Sequence, residues 1–206
     1  MTYHLHYEPK GYTRDEFTPI DGDRNKVLNV DLSVDIGINP LSPSESFRCG
    51  RSVETEHLPT KLKMRGRKRK LPDYIDGYLA QICSDRFRAL VEEFEPGIHQ
   101  FEPVEVVWKD GTTTQFSWFV PCQRLDTLKL DMLHPPVMKS GYWFPFDSNR
   151  KHVEDAYIVF DKEHIGDHHI WCDLRMEGYI CVSDKFHDAV REAKLTGIRM
   201  IARKTV

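Results

Sequence analysis

Cysteine is scarce in this 206-residue chain and poorly placed for chemistry. Cys49, Cys83, Cys122, Cys172 and Cys181 are odd in number and widely scattered, with no Cys-x-x-Cys among them. That excludes a disulfide framework and predicts free thiols in a reducing cytosol. Long apolar runs are missing too: none approaches the roughly 18 residues of a membrane-spanning helix. The opening Met1-Thr2-Tyr3-His4-Leu5-His6 lacks the apolar stretch of a secretory leader. The expectation is a cytoplasmic protein with no membrane partner. Nor is there an excess of charge of either sign. Lys and Arg number 29 against 32 Asp and Glu, a formal net charge of −3. The whole-chain field therefore gives no reason to expect direct nucleic-acid binding.

Apolar and aromatic residues are plentiful. Forty percent of the chain is hydrophobic, with 11 Phe, 8 Tyr and 4 Trp, enough for the core of one ordinary domain. Two stretches about a hundred residues apart read as one short unit written twice. Ile82-Cys83-Ser84-Asp85-Arg86-Phe87 runs on through Leu90, Val91 and Phe94 to Gly97; Ile180-Cys181-Val182-Ser183-Asp184-Lys185-Phe186 runs on through Ala189, Val190 and Ala193 to Gly197. In each, a Ser-Asp pair (Ser84 and Asp85, Ser183 and Asp184) is suited to cap a helix and put negative charge in its first turn. Apolar residues then recur at the spacing of one buried helix face, and a glycine ends the helix before an extended segment. The unit describes scaffold, with no nucleophile, metal cage or phosphate loop.

Three regions follow from composition. Residues 1–60 are turn-rich, with Asp21-Gly22-Asp23, Asn39-Pro40 and Ser42-Pro43-Ser44, and read as strands and loops lying on the main body. Residues 61–70 carry seven positive charges and no negative one, and read as a basic linker. Residues 71–206 hold the fold. There Val104–Val107 and Gln115–Val120 flank Asp110-Gly111, a hairpin signal. Further strands are expected over Asp155–Asp161, His169–Trp171 and Tyr179–Val182. The fold class is α+β, a largely antiparallel sheet with two packed helices from the repeated strand-helix-strand unit.

Candidate chemistry is sparse. His164, Asp167, His168, His169, Cys172 and Asp173 supply donor types for zinc. Adjacent His168 and His169 point to opposite faces of a strand, however, so a loop turning into a strand is the expectation, with no metal and no cofactor. Glu92 and Glu93 lie off the apolar helix face, and Glu102 and Glu105 form no recognisable catalytic pair. Ser84 and Ser183 read as caps, lacking a Gly-x-Ser-x-Gly elbow. The basic run has no interleaved aromatics for stacking on bases. Tyr142-Trp143-Phe144-Pro145-Phe146 reads as a loop plugging the core or, alternatively, as a partner-facing patch, since aromatics dominate interface hot spots.

In order, Leu71-Pro72-Asp73-Tyr74, Cys83-Ser84-Asp85-Arg86-Phe87 and Glu95-Pro96-Gly97-Ile98-His99-Gln100-Phe101-Glu102-Pro103-Val104 resemble a bacterial immunity-protein family that occurs beside polymorphic toxins. His169-Ile170-Trp171, Val182-Ser183-Asp184 and Leu195-Thr196-Gly197-Ile198 look like its C-terminal signature. The resemblance covers residues 71–206; the first 60 show no matching motif. It implies a protein that is not an enzyme and that binds and neutralises a cognate toxin encoded next to it. The implied setting is contact-dependent competition or type VI secretion. Toxin contacts are expected at Trp143 and Phe144 and at the acidic side chains Glu154, Asp155, Asp161, Glu163, Asp167 and Asp173, which could mimic phosphates if the toxin is a nuclease. Rival readings are a metal-dependent enzyme using His164–Asp173 and a nucleic-acid-associated protein acting through 61–70.

Overall fold

Alternating side chains in strand after strand are claimed by different cores, and this lets one short chain build two sheets. The computed structural model describes residues 1–8, 16–33, 36, 46–77, 80–146, 151–176 and 178–206. The turn signals at Asn39-Pro40 and Ser42-Pro43-Ser44 lie outside them.

The described strands are β1 (Thr2–Tyr7), β2 (Phe17–Pro19), β3 (Lys61–Met64), β4 (Tyr74–Asp76), β5 (Gln81–Cys83) and β6 (Gln100–Val107). They continue with β7 (Thr113–Val120), β8 (Arg124–Leu125), β9 (Val159–Phe160), β10 (Ile170–Asp173), β11 (Ile180–Ser183) and β12 (Ile198–Thr205). Helices α1 (Asp85–Phe94), α2 (Lys162–Ile165) and α3 (Asp184–Glu192) lie between them. One six-stranded sheet has the order β8-β10-β11-β1-β12-β9 and the other β2-β3-β6-β7-β5-β4. Pairing is antiparallel except for β8 with β10, β9 with β12 and β3 with β6. The class is α+β, but two sheets stand where one was expected. No helix of the described residues is long and apolar enough to cross a membrane.

The period of two explains the layering. On β7, Phe116, Trp118 and Val120 join a core built with residues 17–75, while Phe119 turns to a second core. That second core gathers Phe87 and Val91 of α1, Phe186 and Val190 of α3, and Leu5, Ile170, Ile180 and Val182 from the other sheet. The opposite face of that sheet sends Trp171, Cys181 and Phe160 into a third core with Leu128, Trp143 and Ile158.

Both longer helices start alike. Ser84 Oγ accepts from Phe87 N–H at 3.4 Å and Ser183 Oγ from Phe186 N–H at 3.2 Å, each serine in extended backbone. Asp73 ties the beginning of α1 to the segment after α3. It accepts from Ser84 Oγ at 2.8 Å, and from Thr196 N–H at 2.9 Å and Oγ1 at 2.8 Å. Gly197 has φ +81°, and a Cβ there would run into Tyr74 O and Pro72, so only glycine passes.

The 110–111 hairpin forms, with Val107 opposite Thr113 and Gly111 at φ +80°. Other expectations shift. The region expected to lie on the main body supplies β1, which sits between β11 and β12 in the middle of its sheet. The run expected as a linker begins as β3, with Leu62 and Met64 fully buried and Lys61 and Lys63 exposed. The strand expected over Asp155–Asp161 shrinks to Val159–Phe160, because Asp155 adopts φ +57° and breaks the extended run.

Candidate functional site

The alternation along β1 places Tyr3, Leu5 and Tyr7 against the helix-side core and Thr2, His4 and His6 on the other face of the sheet. Register sets their neighbours: His4 lies opposite Cys181 and Ile201, and Thr2 opposite Arg203. β9 continues the sheet beyond β12, with Lys204 opposite Val159. Residues 126–146 and 151–158 fold over this face, held by isolated bridges between Leu128 and Phe160, His134 and Tyr157, and Phe146 and His152. Trp143 Nε1 donates to Pro135 O at 2.9 Å and fixes the indole in place.

A cleft of about 580 Å³ remains between the sheet and this cover. His4 is at its floor; Trp143, Tyr157 and Tyr179 line its walls; His152 and Arg203 are its basic groups, while Lys204, next along β12, turns its side chain to the other face of the sheet. No Asp or Glu of the described residues lines it. His4 is 2% exposed, and neither ring nitrogen has a hydrogen-bond partner among the described residues. Its ring packs 4.8 Å from Tyr179 and edge-on to Phe160 at 6.0 Å. Burial, with the charges of Arg203 and His6, lowers its pKa to about 3, so the imidazole is neutral. Burial, then Arg199 and Arg203, lowers His6 in the same direction.

The residues singled out as toxin contacts divide by burial. Trp143 is buried in the cleft wall and Phe144 is half-buried, its ring 6.2 Å from that of Tyr142. Glu154 and Asp155 are exposed and immediately precede the wall residues Ala156 and Tyr157. Glu163 and Asp167, also exposed, flank α2. Asp161 is buried, caps α2 through Glu163 N–H and pairs with Lys129 Nζ at 2.8 Å. Asp173 is 2% exposed and accepts from Thr127 N–H and Oγ1, both at 2.7 Å. Burial pushes its pKa up despite those bonds. Asp173 is thus an internal strut with no surface to present, because β10 turns it inward beside Trp171.

The histidine cluster is dispersed. His164 and His168 stand four apart, a spacing that puts two imidazoles on one helix face, but α2 stops at Ile165 and Gly166 reverses the chain at φ +57°. His169 Nδ1 bonds Ser183 Oγ at 2.8 Å. Cys172 faces the helix-side core while Asp173 faces away from it. Among the described residues, no three His, Cys, Asp or Glu side chains gather as a metal ion would require.

Sequence reasoning passed over His4, Tyr157, Tyr179, Arg203 and Lys204. The one signal available was the His-x-His alternation in β1, and it identifies a face only once strand neighbours are known. The family profile described as "Immunity protein family (Imm11)" matches residues 33–205. It begins well before residue 71 and takes in the basic run. No curated protein matches the chain.

Proposed function

The chain belongs to the Imm11 immunity protein family, and from that premise we propose that it protects its producer by binding one cognate toxin, without catalysis of its own. The observation that carries the reading is the extent of the family match, which takes in both longer helices and most strands of both sheets. The toxin is the product of the adjacent gene, the meeting place is the cytoplasm, and the setting is contact-dependent competition between bacteria. We read the β5-α1-β6 and β11-α3-β12 segments as one scaffold unit used twice; their matching serine caps and terminal glycines support this.

The binding surface is assigned to the mouth of the cleft and the acidic turn beside it. Tyr157 and Phe146 are 54% and 49% exposed there, next in sequence to Glu154 and Asp155 and to half-buried Phe144. Exposed aromatics supply contact area at small entropic cost, and the acidic pair suits a basic toxin groove.

The test is co-expression of the neighbouring gene product with and without this chain. Growth rescue together with a stable equimolar complex supports the reading. A toxic neighbour that this chain neither binds nor neutralises overturns it for that pair. Near-stoichiometric tightly held zinc in protein purified without added metal would instead favour the rival enzyme reading.

A further inference from the structure

We propose that the cleft over β1 and β12 is a binding site for a small anionic molecule with an aromatic body, its phosphate or carboxylate held between Arg203 and His4, which share one face of the sheet. This goes beyond toxin binding and involves the chain alone.

Charge selection is the first argument. The chain carries more acidic than basic residues, 32 against 29. Yet the cleft of about 580 Å³ has three basic or imidazole side chains, His4, His152 and Arg203, and no carboxylate among the described residues. Arg203 has no ion-pair partner among the described residues. Arg203 makes only one long hydrogen bond, 3.4 Å to the carbonyl of Ala202. By contrast, Arg175 is paired with Asp126. An unpaired cation beside a concave surface that has no carboxylate among the described residues focuses a positive field into it.

His4 is the second argument and is independent of the first. A buried polar group is normally hydrogen-bonded, and one that is not calls for an explanation. His4 lines the cleft with both ring nitrogens unsatisfied. A neutral imidazole presents one donor and one acceptor, and an anion arriving between it and Arg203 takes the donor. Burial first, and then the charge of Arg203, keeps the ring uncharged in the free protein, so it meets the anion as a neutral donor beside the guanidinium.

The walls specify the rest of the ligand. Trp143, Tyr157 and Tyr179 stand around an apolar strip of Ile158 and Val159. Small-molecule sites typically measure roughly 300–1,000 Å³ and combine aromatic walls with a few convergent polar groups; at about 580 Å³ this cleft holds a planar ring plus one anionic group.

The test uses the full chain without any toxin, so its failure is separate from failure of the immunity reading. Four probes are titrated by calorimetry and by tryptophan fluorescence: adenosine monophosphate, indole-3-acetate, inorganic phosphate and adenosine. At least one of the two ring-bearing anions is expected to saturate below about 1 mM and to bind about tenfold more tightly than phosphate or adenosine. The stronger of the two identifies the anion as phosphate or carboxylate. The Arg203→Gln variant, altered at a half-buried position, is expected to lose about tenfold or more in affinity with an unchanged melting temperature. His4→Phe fills the same space without nitrogens and is expected to fold normally while also losing affinity. Adenosine binding as tightly as its monophosphate, no saturation by any probe below about 10 mM, or undiminished binding by both variants would each overturn the proposal.

Discussion

His99 donates a hydrogen bond from Nε2 to the buried carboxylate of Glu95, four residues earlier in the chain. The tautomer follows from the other nitrogen, because Nδ1 accepts from Cys122 N–H at 3.1 Å. The remaining oxygen of Glu95 accepts from His169 N–H at 2.6 Å and Ile170 N–H at 3.2 Å. One side chain just past the end of α1 therefore joins the start of β10 in one sheet to the residues following β7 in the other. Burial raises the pKa of Glu95, but the bonds from His99 and the two amides outweigh it and hold the carboxyl below its ordinary value. The stabilisation is present above about pH 4.5 and is lost as pH falls through the folded value. Glu95→Gln is expected to cost roughly 2–4 kcal/mol at pH 7 and to flatten the acid limb of a melting-temperature profile between pH 5 and 3. An unchanged acid limb in the variant would refute this assignment.

His4 contributes an earlier acid limb. Its folded pKa lies near 3, against about 6.5 for the free side chain. The unfolded chain therefore takes up a proton that the folded protein refuses, and stability declines as pH falls from 6.5 toward 3. Between pH 6.5 and 5 the loss is expected to reach roughly 1–2 kcal/mol. His4→Phe should remove the His4 share of that loss, while His6 and His169, whose pKa values burial also lowers, keep theirs and the Glu95 limb stays in place. Urea unfolding of the His4→Phe and Glu95→Gln variants at closely spaced pH values separates the two contributions.

The Asp73 cluster is expected to be a stability determinant far from the cleft. Asp73→Ala strips the acceptor from Ser84, Thr196 and Arg86 and should cost roughly 2–4 kcal/mol. Ser84→Ala removes one cap and should cost about 1 kcal/mol. Gly197→Ala forces a side chain into left-handed backbone against Tyr74 O and Pro72 and should cost roughly 2 kcal/mol or more. Chemical denaturation ranks the three, and a Ser84 variant worse than the Asp73 variant would contradict the geometry.

The basic run divides into inward and outward residues. Leu62→Ala should cost roughly 2–5 kcal/mol, since Leu62 is fully buried opposite Val106. Neutralising exposed Lys63, Arg65, Arg67 and Lys68 together should shift stability by less than about 1 kcal/mol. If the run acts on nucleic acid, the same neutralised variant loses a salt-sensitive mobility shift that the parent shows. Absence of any shift at low salt disposes of that role.

For toxin binding, the pair Glu154 and Asp155 is the sharpest probe. Reversing both to Lys is expected to lower the association rate about tenfold and reduce its dependence on salt, with folding intact. The conservative Asp173→Asn change is expected to act on stability alone, because that side chain faces Thr127 inside the protein. Surface-immobilised toxin and a thermal melt distinguish the two effects.

Legibility in the sequence tracked locality. The serine caps and the 110–111 hairpin were readable because every residue that shapes them lies within a few positions. β1 was not, since Thr2, His4 and His6 show as a face only when β11 and β12, nearly two hundred residues away, are set beside them. β3 was masked by its charge: Leu62 and Met64 alternate with lysines that stay in solvent, so composition suggested a linker where pairing made a strand. The cleft was least legible, because its floor, walls and basic groups come from β1, the cover of residues 126–146 and 151–158, the turn before β11 and β12. No spacing rule links such pieces. Acidic residues were read as surface from composition, and Asp161 and Asp173 went inward because a helix start and the Thr127 turn needed their oxygens.

The place of β1 has a consequence for biosynthesis. Its two hydrogen-bonding neighbours are the last of the described strands in chain order, so its sheet cannot assemble until residue 205 has been made. The other sheet is encoded by residue 120 and can form first. A ribosome that stalls after α3 leaves the histidine face of β1 with no β12 on one side and no Arg203 beside it. Whatever the chain binds over that face, it binds only once β12 has been made, and shorter chains compete for nothing.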